Sequence, residues 1–199
     1  MRPTGFRALA GGLAPEYGLT DGFVSRSDGE RKRVSPKRPR RAELRDVEAI
    51  QRICSEGWRD TYRGIYSAEE IERIIDEFYS RERLSSEVEQ PEGWDGWWVA
   101  EDDDGNVLAA GGGGLTEPGV AEVFVLYADP RRRYEGAGSV ILDAITDEQR
   151  QQGAHEQWVS VEPENPIGLA FYCARGFIQT GSRPAHQRDG VALRLRREI

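Results

Sequence analysis

Apolar residues along the middle of the chain keep one spacing and then change to another. Every position in residues 123–128 is apolar or aromatic, which favours an interior strand with both faces covered, and Asp129 and Pro130 end it. Residues 138–151 repeat apolar side chains at helical spacing instead, and Gly153 follows where a helix C-terminal cap is expected. The pattern predicts a strand that runs through a tight turn into a helix.

The same two periods predict the other elements. Apolar residues at helical spacing run from Leu44 to Cys54, and a capping box at residues 67–70 begins a second amphipathic helix. Residues 97–100 and 107–110 flank the turn sequence Asp-Asp-Gly-Asn and predict a β-hairpin. The polar stretch between the second helix and this hairpin is interpreted as a link. Later elements are a strand at residues 155–162, a helix at 166–175 and strands at 176–182 and 190–196.

The order of these elements predicts the fold class. With a strand before the first helix, the chain runs β-α-α, three strands, α-β-α and two strands. Hairpin neighbours pair antiparallel and strands joined through a helix can pair parallel, so we expect an α/β (α+β) fold with a mixed sheet and helices on both faces. Residues 111–114 are four glycines without the Lys-Ser/Thr of a nucleotide-binding loop, which favours close strand packing or a β-bulge.

Composition separates the two ends of the chain. Residues 1–35 contain many Gly, Pro, Ser and Arg residues without an apolar period, which predicts a disordered arginine-containing extension before one domain at residues 36–199. The net charge is −8 although the extension is basic, so the domain itself is strongly acidic. An acidic domain repels nucleic acid, which favours a small amine or a basic peptide as partner. Nucleic-acid binding through the arginine-rich extension stays open as an alternative.

Several classes of site and location are disfavoured by the sequence. No long apolar run is present and the first residues lack the apolar core of a secretory signal, so we expect a cytoplasmic protein without a membrane span. Cys54 and Cys173 lie far apart without metal-ligand spacing, which favours reduced, partly buried thiols and no metal site. A cysteine in an apolar helix is usually inert, so Cys173 is not interpreted as a nucleophile. His155 and His186 are isolated and are interpreted as strand or loop residues.

The turn between the predicted strand and helix suits a phosphate. The first N–H groups of a helix lack intrahelical partners and lie at the positive end of its dipole, so they bind anions readily. Gly136 and Gly138 leave space for a ligand to approach, and Arg133 adds a forked cation suited to phosphate oxygens. A tight strand-to-helix turn with solvated arginines explains the same residues.

A wider pattern around this turn resembles a known family. Residues 133–138 resemble the Gln/Arg-x-x-Gly-x-Gly/Ala signature of the GNAT superfamily of N-acetyltransferases, which binds the pyrophosphate of coenzyme A. Tyr134 stands where many members carry another glycine. The resemblance covers residues from about 36 to 199 and includes the strand that ends at Pro130, the family's first strand and helix at residues 40–50, Asn165, Phe171-Tyr172 and Gly176-Phe177.

The resemblance implies both a fold and an activity. The GNAT fold has about seven strands, and its fourth and fifth strands splay into a V that holds the cofactor. The implied reaction is direct transfer of the acetyl group of acetyl-CoA to a primary amine of a small molecule or a protein N-terminus, without a metal. The implied cofactor-binding residues are Leu126, Tyr127, Ala128, Arg133, Tyr134, Glu135, Gly136, Ala137, Gly138, Ser139, Asn165 and Tyr172.

Two residues are implied to move protons. Tyr172 matches the position from which the family protonates the coenzyme A sulfur, and a phenol has an ordinary pKa of about 10. Glu122 corresponds to a carboxylate that accepts the amine proton, often through water. A half-buried helix tyrosine and a surface strand residue are the alternatives. Asn165 precedes Pro166 and suits a helix cap as well as a cofactor contact.

The aromatic stretch from Trp58 to Tyr66 is predicted to lie between the first two helices. The acceptor pocket is implied to lie between this stretch and the late strands, with Trp58, Tyr62 and Tyr66 as substrate-binding residues. Packing at a helix end explains the stretch equally. Aromatic rings with Asp60 suit a cation beside a hydrophobic group, and polyamines, amino acids, antibiotics and protein N-termini all fit. A catalytically silent GNAT-like module that senses acyl-CoA or binds a partner is the alternative function, and a homodimer is one option for assembly.

Overall fold

A computed structural model describes residues 38–184 and 190–199. The predicted extension at residues 1–35 and His186 lie outside these described residues. The helices are α1 (Val47–Tyr62), α2 (Ala68–Tyr79), α3 (Arg81–Glu89), α4 (Ala137–Gln151) and α5 (Pro166–Cys173), with short 3-10 turns at Leu44–Asp46 and Pro130–Arg132. The strands are β1 (Arg38–Arg41), β2 (Trp98–Glu101), β3 (Val107–Glu117), β4 (Val120–Ala128), β5 (Glu156–Val161), β6 (Ile178–Pro184) and β7 (Val191–Glu198).

The strands of the described chain form one seven-stranded sheet in the order β1-β2-β3-β4-β5-β7-β6. The β4 and β5 strands pair parallel, and the other neighbours pair antiparallel. Two separate clusters of buried apolar residues cover the two faces, one built with α1, α2 and α3 and the other with α4 and α5. The predicted mixed sheet with helices on both faces is confirmed.

The sheet opens between its fourth and fifth strands. Residues 120–123 of β4 pair with residues 156–159 of β5, but β4 continues to Ala128, and no strand of the described chain pairs with its last five residues on that side. On its other side β4 stays paired with β3 as far as Ala128. The predicted V-shaped splay is therefore confirmed, and it leaves backbone N–H and C=O groups of residues 124–128 available to an extended ligand.

Local signals in the sequence form where they were predicted. The Ser67 hydroxyl accepts from the Glu70 N–H at 3.2 Å, while the Glu70 carboxylate accepts from the Ser67 N–H at 2.9 Å. After α4, Gly153 takes the left-handed conformation with φ of +91°. The four glycines lie in β3 with a register shift between Gly112 and Gly113, where a Cβ on Gly113 would stand 2.2 Å from a backbone oxygen. The capping box, the helix end and the bulge are confirmed.

Two predictions about the first half of the chain are wrong. The supposed polar link contains α3, which shows little helical period because Leu84 is its single fully buried apolar side chain. Leu84 packs in the same buried cluster as Ile53 of α1. This tertiary packing stabilises α3 more than the apolar spacing within the helix does. The α1 helix also continues to Tyr62, so Trp58 and Tyr62 belong to the helix rather than to the segment after it. No helix among the described residues is long and apolar enough to cross a membrane.

Candidate active site

The opening between β4 and β5 leads into a cavity of ≈ 1310 Å³. Its walls come mainly from β4, the turn before α4, the start of α4, α5 and α1, with further residues from α2, α3, β5 and β6. Most of the residues predicted for the site line this cavity: Trp58, Tyr62, Glu122, Leu126, Tyr127, Ala128, Arg133, Tyr134, Glu135, Gly136, Ala137, Gly138, Ser139, Asn165 and Tyr172. Tyr66 does not line the cavity. Its hydroxyl lies 3.5 Å from Oε2 of Glu162, and Glu162 does line the cavity.

The turn before α4 has an open anion-binding geometry. Gly136 is the N-cap residue with φ of +87°, and a Cβ built on it would meet no heavy atom within 4 Å. The N–H groups of Ser139 and Val140 donate to the Gly136 carbonyl and close the first helical turn. The helix begins facing the cavity, where its N-terminal N–H groups and dipole favour a negative group. Tyr134 also has a positive φ, of 63°, and its side chain is 95% exposed.

Ion pairs connect the turn before α4 to neighbouring elements of the fold. The Arg132 guanidinium contacts Asp102 in the β2-β3 hairpin at 2.7 Å and Glu135 within the turn at 2.7 Å. At the start of the turn, the buried Asp129 carboxylate accepts from the Arg131 N–H at 2.9 Å and from Arg52 of α1 at 2.7 Å. The turn is therefore held in place before any ligand binds.

We expect Asp102→Asn to destabilise the fold near neutral pH by about 1.5–3 kcal/mol, the usual worth of hydrogen bonds to a charged group. Burial raises the pKa of Asp102, but hydrogen bonds from Arg132 and Asn106 outweigh it and lower this pKa to about 2 from 3.8. A lowered folded-state pKa stabilises the fold above 3.8, and that contribution is lost as the pH falls toward about 2. Urea unfolding of both proteins at about pH 7 and pH 3 measures this, and an equal difference at the two pH values would contradict it.

The arginine predicted to contact pyrophosphate has a protein partner. Arg133 Nη1 lies 2.6 Å from Oδ2 of Asp60, which is on α1. Both residues stay partly exposed, with 25% of the Arg133 side chain and 47% of the Asp60 side chain accessible. An exposed pair of this kind is weak, so an anionic ligand can compete for the guanidinium.

Tyr172 enters the cavity from α5. The Asn165 side chain caps this helix by accepting from the Gly168 N–H at 2.8 Å, so the predicted cap is confirmed. The Tyr172 ring packs edge-on against Phe171 and Phe177, with centroid distances of 5.1 and 5.2 Å. Burial raises the pKa of its phenol well above 10, and the nearby arginines offset this only in part. The hydroxyl therefore stays protonated at neutral pH and can donate a proton.

Glu122 is buried rather than on the surface, with 4% of the residue exposed. Three donors contact its Oε1: Arg194 Nη1 at 2.5 Å, Arg183 Nη2 at 3.0 Å and Ser160 Oγ at 3.4 Å. In the described part of the chain, no hydrogen bond ends on Oε2 of the same carboxylate. The charge is thus stabilised through one oxygen while the second remains an acceptor beside the cavity.

The aromatic wall is partly core. Trp58 and Tyr62 are 3% and 5% exposed and pack 4.3 Å apart, and Tyr66 packs edge-on against Tyr62 at 5.3 Å. Helix packing and cavity lining therefore both describe this stretch. Glu162 and Arg183 are among the charged residues of the wall that sequence reasoning did not select. Glu162 directly follows β5, whose alternate residues are buried, which is a usable signal, whereas nothing local marks Arg183.

The remaining polar candidates do not join the site. Both cysteines are free; Cys54 is buried, which raises its thiol pKa, but Cys173 is exposed. The predicted partial burial of Cys173 is wrong because this residue lies on the outer side of α5, next to the inward-facing Tyr172. His155 is an exposed residue before β5. Residues 38–184 and 190–199 contain no group of three or more His, Cys, Asp or Glu side chains that could hold a metal ion.

The chain is similar in sequence and fold to known acetyltransferases. Residues 55–177 match the model of the Acetyltransferase (GNAT) family. A spermidine N(1)-acetyltransferase from Thermoplasma acidophilum is 29% identical over 142 residues, which cover 69% of this chain and 86% of that protein. The crystal structure of a PaiA N-acetyltransferase from the same organism, in complex with coenzyme A, superposes with a TM-score of 0.72 at 25% identity over 82% of this chain and 99% of the other. Ard1 from Thermoplasma volcanium shares the fold, with a TM-score of 0.58 at 23% identity over 82% of this chain and 97% of the other.

Proposed function

Because the chain belongs to the GNAT family of acetyltransferases, we propose that it transfers the acetyl group of acetyl-CoA directly to the primary amine of a small molecule. The observation that carries the proposal is one cavity lined by the glycine turn at the start of α4, by Tyr172 and by Glu122. The relative that acts on spermidine supports a small-molecule acceptor over a protein N-terminus. Cytoplasmic location and a homodimer stay predictions, which cell fractionation and light scattering can test.

The residues of the cavity fit acetyl-CoA. Open space at Gly136 and the N-terminal N–H groups of α4 suit the pyrophosphate, with Arg133 beside them. The unpaired edge of β4 at residues 124–128 suits the amide groups of the pantetheine arm, which would add to the sheet like a strand. The Asn165 oxygen is used in the helix cap, so its amide N–H groups are the ones left for the ligand.

The cavity contains a group suited to each step of acetyl transfer. When bound, acetyl-CoA supplies a thioester whose C–S bond breaks as the amine nitrogen bonds to the carbonyl carbon. The Tyr172 hydroxyl holds a proton for the departing sulfur and is reprotonated from solvent. Glu122 Oε2 accepts the proton that the amine loses, directly or through water. A backbone N–H from residues 126–128 polarises the carbonyl oxygen.

The Arg133–Asp60 pair makes a prediction about cofactor affinity. We expect Asp60→Asn to strengthen acetyl-CoA binding two- to fivefold, because the variant removes a competing anion worth up to about 1 kcal/mol from the guanidinium. Calorimetric titration measures this. Asp147→Asn, which removes another exposed partner of an arginine on α4, is the control and should leave affinity unchanged. Weaker binding by the Asp60 variant would show instead that Asp60 positions Arg133 for the ligand.

The activity itself is tested by titrating the full-length protein with acetyl-CoA and then measuring thiol release over a panel of amines. Binding with amine-dependent release supports the enzyme. Binding without release from any amine would favour the alternative, a catalytically silent acyl-CoA sensor. A folded protein that fails to bind acetyl-CoA would contradict both.

A further inference from the structure

Two arginines converge on one buried carboxylate inside the cavity. Arg194 Nη1 lies 2.5 Å from Glu122 Oε1, donates to Ser160 Oγ at 2.9 Å and stacks over the Trp158 ring at 4.7 Å. Only 18% of the Arg194 side chain is exposed. A buried carboxylate needs one well-placed counterion, and Arg194 already provides it.

The second arginine, Arg183, is not needed to neutralise the charge of Glu122. Arg183 Nη2 contacts the same oxygen at 3.0 Å, but 43% of the Arg183 side chain is exposed and it lines the cavity. A guanidinium has five N–H donors, and this contact uses one of them. The group of Glu122, Arg183 and Arg194 therefore carries a net positive charge toward the cavity, with donors available for an anion.

The same group offers an acceptor as well as these donors. Among the described residues, the three contacts to the Glu122 carboxylate all end on Oε1, so Oε2 is the oxygen left to bind an ammonium group. Phe124 lies two positions further along β4 on the same face, is 45% exposed and also lines the cavity. A carboxylate, a guanidinium and an apolar ring thus stand together.

We propose that the acetyl acceptor is a small amino acid whose carboxylate is bound by Arg183 and whose amine is bound at Glu122. This inference rests on the proposed function and narrows its substrate. A planar guanidinium binds a carboxylate through two parallel hydrogen bonds, which fixes the amine nearby. A polyamine lacks the anion that Arg183 would bind. In the reaction the amine nitrogen gains the acetyl group and loses a proton, the C–S bond breaks toward sulfur, and the substrate carboxylate is unchanged.

Matched substrates test this without altering the protein. Thiol release from acetyl-CoA is measured for a panel of L-amino acids, for the α-carboxamide of each, and for spermidine. We expect kcat/KM to be about 10- to 100-fold higher for amino acids than for their amides, because the amide removes a charged hydrogen-bonding pair. Equal rates for acids and amides, or release with spermidine and no amino acid, would overturn the inference while leaving the acetyltransferase proposal in place.

Variants of Arg183 test whether this residue causes the preference for amino acids over their amides. Arg183→Gln should lower kcat/KM for the acid far more than for the amide, mainly by raising KM for the acid, and so remove the preference. Arg183→Lys should restore part of the preference, and Arg150→Gln, at an exposed pair on α4, should retain all of it. A similar loss for acid and amide in Arg183→Gln would contradict the assigned contact. If acetyl-CoA binds but no amine of any class is acetylated, the proposed function fails and this inference fails with it.

Discussion

Replacing Gly136 with glutamate should reduce the affinity for acetyl-CoA at least about a hundredfold. Gly136 has φ of +87°, and a residue with a Cβ pays about 1–2 kcal/mol in that conformation. The added carboxylate would point into open space at the N-terminus of α4, where the pyrophosphate would bind, so two negative groups would occupy one anion site. Calorimetric titration at low and high salt measures the loss, and the repulsive part should decrease as salt increases.

Gly153 provides a matched control at the other end of α4. It has φ of +91° and also leaves open space around a Cβ, so Gly153→Glu introduces similar backbone strain and the same charge away from the cavity. We expect Gly153→Glu to lower the unfolding temperature but to bind acetyl-CoA like the unmodified protein. Near-equal affinity of Gly136→Glu and Gly153→Glu would refute the assignment of this turn to the pyrophosphate.

Tyr172→Phe should lower kcat by about 100- to 1,000-fold, within the usual range for loss of a general acid, and change acetyl-CoA affinity less than about threefold. The variant removes one oxygen and keeps the ring between Phe171 and Phe177. Because burial raises the pKa of Tyr172 well above 10, ionisation of this phenol should not reduce kcat of the unmodified protein up to about pH 9. Stopped-flow or steady-state thiol release over pH measures both effects.

The control for this variant is another buried tyrosine. Tyr79 also lines the cavity and has a pKa raised by burial, and its hydroxyl accepts from Trp58 Nε1 at 3.3 Å. Tyr79→Phe should lower stability because it leaves the buried indole N–H without this acceptor, and kcat should stay within about threefold. If Tyr172→Phe keeps full turnover, the sulfur leaves without help from this residue and the acid role is wrong.

Much of the site could be predicted from the sequence because it is built from short, contiguous segments. The strand, glycine turn and helix at residues 123–151 are contiguous, so spacing alone brings together the backbone that we propose binds the pyrophosphate. Asn165 caps a helix that begins one residue later, and Tyr172 is two turns further along that helix. Short-range geometry of this kind depends on backbone dihedrals and on few distant contacts.

Long-range contacts account for what sequence reasoning did not find. Arg183 and Arg194 reach Glu122 across 61 and 72 residues of chain, so no local pattern predicts that the carboxylate is buried between them. The same holds for the Arg133–Asp60 pair, which joins the turn before α4 to α1. Helix α3 depends on the burial of Leu84 against α1, and the exposure of Cys173 depends on which side of α5 faces the sheet.

The sequence by itself was enough to predict most helices and strands, the turn before α4 and the family resemblance. These features follow from the spacing of residues over a short stretch of chain. The tertiary structure alone decided which charges meet, which side chains are buried and how far β4 and β5 separate. Pairing of charges and burial depend on distances between segments remote in sequence, and those distances exist only once the sheet and its helices have packed. The acceptor end of the cavity, and hence the choice of amine, belongs to this second group.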